Sequence, residues 1–294
     1  MRELHLNEQR EHGSIDFPLG YYYVSSNFSR YIMEQHWHIQ YEIIHIIQGS
    51  FRLKISNTYY QMHEGDYAFI HSGLIHGGMP QNCIYECVVF DADFLRNRNA
   101  KSDVFIRGLV HNKYSLQSIY SKEFLVQYPY LQSNLEQFFA SFKSKHKFYE
   151  LQVMASLLGF FAQVAQHKLY CQSAPDADSV ENIEPIKKTL ERIQNNYAEN
   201  ISLDDLAKIA GLSGKYFCHI FQKLMGRTPI DYLNNYRIER AASLIEEAKY
   251  SLIQICYDCG FNDYSYFIRV FKKYKNTTPK QYKKNLEQDL VEGF

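Results

Sequence analysis

The sequence predicts an α+β multidomain fold, with a β-rich N-terminal part, a helical pair and an all-α C-terminal part. Three observations support this prediction. Short β-branched and aromatic runs, separated by Gly, Asn and Asp, fill residues 17–90. After about residue 113, apolar residues recur at spacings of three and four, as they do in amphipathic helices. The C-terminal third contains an internal repeat.

The N-terminal part contains four clear strand patterns, which are FPLGYYYV, YEIIHIIQ, FRLKIS and CVVF. Each is rich in the β-branched and aromatic residues that strands favour. Several short strands at close spacing are typical of a β-sandwich or a β-barrel, and the spacing alone leaves both open.

Two amphipathic segments follow, LQSNLEQFFASFKSKH and YELQVMASLLGFFAQVAQHKL. They predict two helices, or one helix broken near Lys145. Their apolar surface exceeds what an isolated hairpin needs, and it comes from Phe138, Phe139, Phe142, Leu157, Leu158, Phe160 and Phe161. Two interpretations stay open: this surface covers the β-rich part and pairs two subunits, or it packs entirely within one chain.

These patterns divide the chain into a β-rich domain at 1–112, a helical region at 113–170 that is a candidate for dimerisation, a linker at 171–182 and an all-α domain at 183–294. The linker is polar, contains Pro175 and lacks periodicity. The net charge is zero, but basic residues outnumber acidic ones in the all-α domain and are outnumbered before it. A basic C-terminal domain favours a polyanionic partner.

The N-terminus, MRELHLNEQREHG, lacks the apolar stretch of a secretory signal. The longest apolar stretch, around residues 155–165, is interrupted by Gly159 and Gln163 and is too short to span a bilayer. The 6 cysteines show no disulfide framework. We therefore expect a cytoplasmic protein with reduced thiols and no membrane partner.

The C-terminal repeat has a spacing of about fifty residues. The first copy, SLDDLAKIAGLSGKYFCHIFQKLMGRTPIDY, begins at Ser202, and the second, SLIQICYDCGFNDYSYFIRVFKKYKNTTPKQY, begins at Ser251. With one residue inserted in the second copy, the matching pairs are Leu206 and Ile255, Gly211 and Gly260, Phe217 and Phe267, Phe221 and Phe271, and Pro229 and Pro279.

Each copy predicts a helix, a tight turn and a second helix. Ser202 and Ser251 are suited to cap the first helix, and Leu206 and Ile209 give it a buried face. A glycine then ends this helix, because the position needs a left-handed backbone. Such a unit is a helix-turn-helix, whose second helix lies in the major groove of DNA. Between the copies, PIDYLNNYRIERAASLIEEA predicts one long helix that begins at Pro229 and joins the two units.

Over Ile183 to Lys284 the chain resembles the AraC/XylS family of transcription regulators. The second copy, I-C-x-x-x-G-F-N-D-x-S-Y-F-x-R-x-F-K-K-x-x-x-x-T-P-x-x-Y, is close to the family signature. Cys256 stands where the family usually has Ala, Asn276 where Gly is common, and His219 where Arg is frequent. Asn tolerates the left-handed conformation, whereas His219 alters one contact to a base or phosphate.

Solvent-facing positions on the second helix of each unit are the candidates for contacting DNA. The candidates for base contacts are Lys215, Cys218, His219 and Gln222 in the first unit, and Tyr264, Ser265 and Arg269 in the second. Arg binds guanine and Gln binds adenine through two hydrogen bonds each. Lys223, Lys272 and Lys273 are the candidates for neutralising phosphates. The alternative is that all these residues form only a solvated helix face.

Cys256 and Cys259 form a C-x-x-C pattern, but no second Cys/His pair at zinc-finger spacing accompanies them. They align with Ala207 and Ala210 of the first copy, at i and i+3 of a helix. We therefore predict that they are small core residues rather than ligands.

A second resemblance lies in the β-rich domain. His36-x-His38, Glu42 and Gly49 are followed by His76, eleven residues after Gly65, and this arrangement resembles the two motifs of cupins over about residues 17–95. His71 stands where the second motif usually has Pro, and the Asn that often follows is missing. The resemblance implies that the β-rich domain is a cupin-like, double-stranded β-barrel.

The four motif residues suggest a site inside the barrel. Alternate strand residues share a face, so His36, His38 and Glu42 point the same way, and His76 comes from a neighbouring strand. Three imidazoles and one carboxylate suit Fe, Mn, Ni or Zn, the set that cupins generally bind. Three interpretations stay open: these residues bind a polar effector, they bind a divalent metal that helps to hold the effector, or they are ordinary barrel residues. Trp37, between the first two histidines, is a candidate for stacking on the effector.

Together the resemblances imply a sequence-specific DNA-binding transcription regulator, an activator by family habit, controlled by a small molecule in the barrel. Regulators with such a domain often respond to carbohydrates, act as homodimers and work with RNA polymerase. We expect no enzyme activity and no required cofactor. The sequence leaves a divalent metal in the barrel open as an alternative. A cupin enzyme tethered to DNA and a purely architectural DNA-binding protein are the alternatives, and neither accounts for both domains as well.

Overall fold

A computed structural model describes residues 8, 12–14, 16–28, 31–96, 101, 103–172, 183–247 and 249–292. It divides the chain into two units, Met1–Ile183 and Glu184–Phe294. Most of the predicted linker, 171–182, lies outside the described residues. Within the described ranges, no helix combines the length and the apolar character needed to cross a membrane.

The first unit is built on one seven-stranded antiparallel sheet. Its strands are β1 (Leu19–Val24), β2 (Met33–His36), β3 (Tyr41–Ile55), β4 (Thr58–His63), β5 (Tyr67–Ile70), β6 (His76–Phe90) and β8 (Ile119–Tyr120), while β7 (Ser115–Leu116) pairs separately with β9 (Tyr170–Cys171). The order is β1-β6-β3-β5-β8, with β2 also paired to β6 and β4 to β3. The β-rich N-terminal domain predicted from the sequence is confirmed.

Strands β3 and β6 are each 15 residues long, whereas the sequence predicted shorter strands. The runs YEIIHIIQ and FRLKIS are two halves of β3, because Gly49 does not end the strand but takes φ 78° where the register with β6 shifts. A Cβ on Gly49 would lie 2.1 Å from the carbonyl oxygen of Asn82, so only glycine fits. The bulge moves the side-chain alternation by one residue, and Ile44 before it and Leu53 after it therefore face the same interior.

The centre of the sheet, formed by the first half of β3, by β5 and by the second half of β6, is buried on both faces. One face encloses an apolar cluster that includes Ile44, Ile46, Phe51, Leu53, Met62, Ile70 and Tyr85. The other face packs against helices through Tyr41, Ile43, Tyr67, Phe69, Val88 and Phe90. Successive residues of β3 enter different cores, which explains why the run YEIIHIIQ is almost continuously apolar.

The helices of this unit are a short 3-10 helix (Ala92–Leu95), α1 (Asp103–Val110), α2 (Lys122–Leu125), α3 (Pro129–Ser144) and α4 (Tyr149–Gln166). The prediction of a break near Lys145 is confirmed, because Lys145 is left-handed at φ 41° and ends α3. Of the seven apolar residues expected to exceed a hairpin's needs, six are buried in the core shared with the sheet. Leu158 is the exception, at 40% exposure.

The sequence placed a domain boundary at residue 112, and the structure has no boundary there. Strand β8 lies beyond that position and pairs with β5 of the sheet. Helices α3 and α4 share one hydrophobic core with the sheet. The physical reason is that the helices cover an apolar sheet face, so the barrel and the helical region 113–170 form one unit.

The second unit is all helical. Its helices are α5 (Ile183–Asn196), α6 (Leu203–Ala210), α7 (Gly214–Met225), α8 (Pro229–Glu246), α9 (Leu252–Asp258), α10 (Tyr264–Lys275) and α11 (Pro279–Glu292). Helices α6 and α7 form the first helix-turn-helix unit, α9 and α10 form the second, and the 18-residue α8 joins them. This is the arrangement that the repeat predicted.

The ends of these helices follow the chemistry expected from the sequence. Ser202 and Asp205 form a reciprocal capping box at the start of α6, and Ser251 caps α9. Gly211 and Gly260 are left-handed, at φ 67° and 82°. The glycine is indispensable at the second position, because a Cβ there would lie 2.8 Å from two backbone carbonyl oxygens.

Two smaller predictions about this unit have different outcomes. Cys256 and Cys259 are completely buried, so their assignment to the core is confirmed. The assignment of Ile209 to the buried face of α6 is wrong, because Ile209 is 37% exposed. The helix is only 8 residues long, and Leu206, Ala207 and Ala210 already fill its buried face.

Helix α8 also holds the segment that follows α5. The guanidinium of Arg237 donates hydrogen bonds to the backbone carbonyls of Tyr197 and Glu199, both at 2.8 Å. The same group lies over the ring of Phe261, with its Cζ atom 5.6 Å from the ring centroid. One side chain thus links α8, the segment after α5 and the turn of the second helix-turn-helix.

Candidate ligand site and candidate nucleic-acid interface

The four cupin-motif residues converge in the first unit, as their spacing predicted. His36 ends β2, His38 follows it, Glu42 lies at the start of β3 and His76 begins β6. His36 and His76 are register partners across β2 and β6. The ligand atoms of the four side chains all lie within 4.8 Å of one another. We call these four residues the histidine cluster.

Glu42 is the centre of the histidine cluster. Its Oε2 atom lies 2.9 Å from Nε2 of His76 and 3.4 Å from Nε2 of His38. The other ring nitrogens of these histidines face backbone carbonyls, of Leu74 at 2.9 Å and of Gln40 at 3.1 Å. Each of these carbonyls accepts from Nδ1 and fixes the orientation of the ring, so that Nε2 of each histidine is directed at the carboxylate of Glu42.

Burial and charge act in opposite directions on these groups. Glu42, His38 and His76 are each 2% exposed or less. Burial alone would raise the pKa of Glu42, but the hydrogen bonds and charges of His38 and His76 hold that pKa well below its usual range. Burial and the nearby His76 lower the pKa of His36. The cluster therefore presents one carboxylate charge and several imidazole nitrogens in a largely buried site.

The N-terminal segment adds two residues that the motif analysis missed. Oε2 of Glu8 lies 3.6 Å from Nε2 of His36 and 3.8 Å from Nε2 of His12. The rings of His12 and His38 are 5.9 Å apart, and His12 contacts the hydroxyl of Tyr22 at 2.9 Å. No motif in the sequence signals these contacts, because the segment is distant along the chain from every strand that holds the cluster.

Trp37, the candidate for stacking on the effector, lies between two residues of the histidine cluster. It is completely buried, while its neighbours His36 and His38 point into the cluster. Strand alternation turns the indole ring away from the side to which the two histidines point. His38, Glu42 and His76 are buried to the same degree, so the stacking of Trp37 on an effector stays a prediction.

In the first helix-turn-helix unit, the predicted DNA-contacting residues form one face of α7. Lys215, His219 and Gln222 are exposed, and Cys218 and Lys223 are half-buried beside them. The opposite face of α7 is held in the core by Phe217, Ile220, Phe221 and Leu224. The residues at i, i+4 and i+7 therefore share one side that is open to a groove of DNA.

Helix α10 of the second unit presents a matching face. Ser265, Arg269 and Lys272 are exposed at the positions that correspond to Lys215, His219 and Gln222. Tyr264 is only half-buried at the helix start and packs against the core around Phe267.

One predicted phosphate contact is already engaged within the protein. The Nζ atom of Lys273 donates to the carboxylate of Asp231 at the start of α8, and Tyr274 Oη donates to the same carboxylate at 2.7 Å. These contacts hold the pKa of Asp231 below its usual range, although burial opposes them. Lys272 on the same turn remains exposed.

Sequence reasoning missed Tyr216 and Tyr266, which occupy equivalent positions on α7 and α10. They are 46% and 37% exposed and lie on the same side as the predicted base contacts. Their equivalence within the repeat is a signal that was present in the sequence.

Comparisons with known proteins agree with both halves of this architecture. Residues 206–285 match a helix-turn-helix domain family, and residues 18–161 match the AraC-like ligand binding domain family. The two matches span β1 to β8, α3 and most of α4, and, from Leu206 onward, the two helix-turn-helix units. The α+β fold with a cupin-like N-terminal domain, predicted from the sequence, is thereby confirmed.

The relatives carry regulator names. The chain is 26% identical to the uncharacterized HTH-type transcriptional regulator YdeC of Bacillus subtilis, over 95% of this chain and 96% of the relative. It is 23% identical to the HTH-type transcriptional activator RhaS of Mannheimia succiniciproducens, over 85% and 89%. It is also 30% identical to the melibiose operon regulatory protein of Escherichia coli, over 35% of this chain and 34% of the relative. With a ligand-binding domain in front of two helix-turn-helix units, the chain belongs to the AraC family of DNA-binding transcription regulators.

Proposed function

We propose that the chain is an effector-controlled transcription activator, in which a small polar molecule binds at the histidine cluster and changes DNA binding by α7 and α10. The observation that supports this most is the convergence of four polar side chains, three of them buried, at one point of the first unit. Buried polar groups cost free energy unless they are satisfied, so a cluster of this kind favours a binding role.

A carbohydrate is the effector class that fits best. Glu42 accepts hydrogen bonds, and the imidazoles of His36, His38 and His76 donate or accept them according to tautomer. Such a set matches neighbouring hydroxyl groups, each of which is both donor and acceptor. The relative named for a melibiose operon supports a sugar-linked role.

A divalent metal is the second candidate for the same residues. The four ligand atoms lie close enough together to share one ion, and His₃-carboxylate sets suit Fe, Mn, Ni or Zn. A bound ion would supply a Lewis-acidic centre for oxygen atoms of the effector. His38 and His76 already have Nδ1 fixed by carbonyls, as metal-binding imidazoles usually do.

For the DNA-binding unit, we propose that the exposed faces of α7 and α10 contact base edges. Lys215, Cys218, His219 and Gln222 act in the first unit, and Ser265 and Arg269 act in the second, with Tyr264 at the helix start. Lys223, Lys272 and Lys273 contact phosphates, and Lys273 must then exchange Asp231 for the phosphate. Two units joined by one rigid helix suit two successive major grooves, about 34 Å apart.

We further propose that the protein acts as a homodimer through α4. Leu151 is 68% exposed and Leu158 is 40% exposed, and with Ala155 and Ala162 they form an apolar stripe at spacings of three and four. A second copy of this chain is the occupant that such a stripe fits, because a dimer doubles the DNA sequence contacted. The regulator would act in the cytoplasm together with RNA polymerase.

The experiment that tests the function starts from the full chain and a pool of randomised DNA duplexes. Repeated selection should enrich one sequence, and binding to it is then titrated by fluorescence anisotropy with and without each member of a sugar panel. One sugar class should shift the dissociation constant at least tenfold. Enrichment without any sugar response, with or without added divalent metal, would refute the carbohydrate assignment, and failure to enrich any sequence would refute sequence-specific binding.

A further inference from the structure

Helix α8 reaches the exposed face of α10 through one hydrogen bond. Nδ2 of Asn234, on α8, donates to Oη of Tyr266, on α10, at 3.0 Å. Asn234 is 8% exposed, so this hydrogen bond is largely shielded from solvent at its donor end. Tyr266 is 37% exposed, and its ring therefore lies at the boundary between the core and the solvent.

The ring of Tyr266 in turn supports Arg269. The Cζ atom of Arg269 lies 5.1 Å from the centroid of that ring, three residues earlier on the same helix. Arg guanidinium groups stack on aromatic faces, and this contact holds the planar group in a defined orientation. Asn234, Tyr266 and Arg269 thus form a continuous chain from the buried side of α8 to the solvent-facing side of α10.

The first helix-turn-helix unit, formed by α6 and α7, lacks this arrangement. Tyr216 and His219 occupy the positions that match Tyr266 and Arg269. Among the described residues, no hydrogen bond of the Tyr216 hydroxyl to another protein group is present, and it is 46% exposed. The repeat therefore supplies an internal control, in which the same tyrosine stands at the same helix position without the link to α8.

From this difference we infer that Asn234 and Tyr266 are positioning residues that set the base specificity of Arg269. This role is confined to the second helix-turn-helix unit. The inference rests on the proposed role of Arg269 in contacting a base. Two hydrogen bonds to one guanine require the guanidinium plane to be coplanar with the base edge. A side chain already held near that orientation loses less rotamer freedom when DNA binds.

A purely structural role for Tyr266 predicts a different result. Loss of its hydroxyl would then weaken packing between α8 and α10 and reduce binding to every DNA sequence alike. A positioning role predicts a loss that is confined to one base pair, since only the base beneath Arg269 senses the orientation of the guanidinium. Base preference therefore separates the two explanations.

The test uses the full chain, the duplex enriched from the randomised pool, a set of duplexes with each base pair changed in turn, and a random duplex. Tyr266→Phe keeps the ring but removes the acceptor of the Asn234 amide. We expect it to weaken binding to the enriched duplex by about two- to tenfold, the range for loss of one hydrogen bond, and to weaken binding to the random duplex less. The loss should fall at the base pair where Arg269→Ala also relaxes preference.

Two further variants complete the test. In an Arg269→Ala background, Tyr266→Phe should add no further loss at that base pair, because nothing remains to be positioned. The matched control, Tyr216→Phe, should leave the preference at that base pair as it is in the unmodified chain. Asn234→Ala should reproduce the effect of Tyr266→Phe, and a melting curve for each variant establishes that it is folded.

The outcomes distinguish this inference from the proposed function. If Arg269→Ala relaxes no base pair, the base contact itself is refuted, and the inference is refuted with it. If Arg269→Ala relaxes one base pair but Tyr266→Phe does not, or if Tyr266→Phe weakens all duplexes equally, only the positioning role is refuted. An equal loss from Tyr266→Phe with and without Arg269 also refutes it.

Discussion

Nζ of Lys143 donates a hydrogen bond to the Glu86 carboxylate at 2.9 Å, and this contact joins the last turn of α3 to β6. Glu86 is completely buried and also accepts hydrogen bonds from Nδ1 of His45 and Oη of Tyr21, both at 2.8 Å. The ring of His45 stacks on Tyr67 at 4.2 Å. A single carboxylate thus links β1, β3 and β6 of the sheet to the helical pair.

Glu86→Gln should destabilise the first unit in a pH-dependent way. Burial would raise the pKa of Glu86, but the hydrogen bonds from His45, Lys143 and Tyr21 lower it overall. The stabilisation that the Glu86 carboxylate provides is therefore fully present above its unfolded-state pKa of about 4.3. It is lost as the pH falls through the lower pKa of the folded state. We expect the variant to lose about 1–3 kcal/mol of unfolding free energy at pH 7. The ion pair with Lys143 adds little to this value, because the half-exposed lysine is screened by solvent.

The measurement is urea denaturation followed by circular dichroism between pH 7 and pH 3. The difference between Glu86→Gln and the unmodified chain should shrink toward the acid end. The exposed Glu136→Gln is the matched control and should show little difference at any pH. A difference that stays constant over the whole range would contradict the assigned role of the charge.

Glu42→Gln should abolish the response to the effector. The substitution keeps the size of the side chain but replaces the carboxylate that faces His38 and His76 with an amide, which cannot accept from both rings through one charged group. Isothermal calorimetry with the sugar found by the panel measures the loss. Glu64→Gln, on the exposed turn after β4, is the control, and an unchanged heat of binding in Glu42→Gln would place the effector elsewhere.

Arg269→Ala and Lys272→Ala should weaken DNA binding in different ways. The first should cost about 1–3 kcal/mol on the enriched duplex and relax one base position, whereas the second should weaken all sequences and flatten the salt dependence by about one unit of slope. Anisotropy titrations at several salt concentrations measure both quantities. Equal losses from Arg269→Ala on enriched and random duplexes would show that Arg269 contacts only phosphate.

Leu158→Glu should produce monomers if α4 pairs two copies. A charge in the middle of the exposed stripe adds an unpaired carboxylate to the interface, which is costly. Sedimentation velocity of the full chain measures the mass. Tyr130→Glu, at an exposed site on α3, controls for a general effect of added charge. A dimer that persists in Leu158→Glu would move the interface away from α4.

Local signals explain which parts of the fold could be predicted. The capping box at Ser202, the left-handed glycines and the spacing of Phe217 and Phe221 act within a few residues, so the sequence displays them directly. The histidine cluster was predictable for a related reason. His36, His38 and Glu42 lie on adjoining strand segments of fixed alternation, and the motif spacing supplied His76.

Other features depend on partners that are far apart in the chain. Gly49 resembles a turn in sequence, and only the carbonyl of Asn82 opposite shows that it forms a bulge inside a continuous strand. The pairing of Lys273 with Asp231 spans 42 residues, and that of Lys143 with Glu86 spans 57. The periodicity of the sequence does not predict such contacts, because they form between two secondary-structure elements that pack together in the folded protein.

The burial of Trp37 has a practical consequence for studies of folding. It is the only tryptophan in the chain, it has no exposed surface, and it belongs to the first unit. Its emission should therefore be blue-shifted in the native state and should move to the red only when the first unit opens. The second unit contains no tryptophan, so this emission follows the unfolding of the first unit alone in the intact molecule.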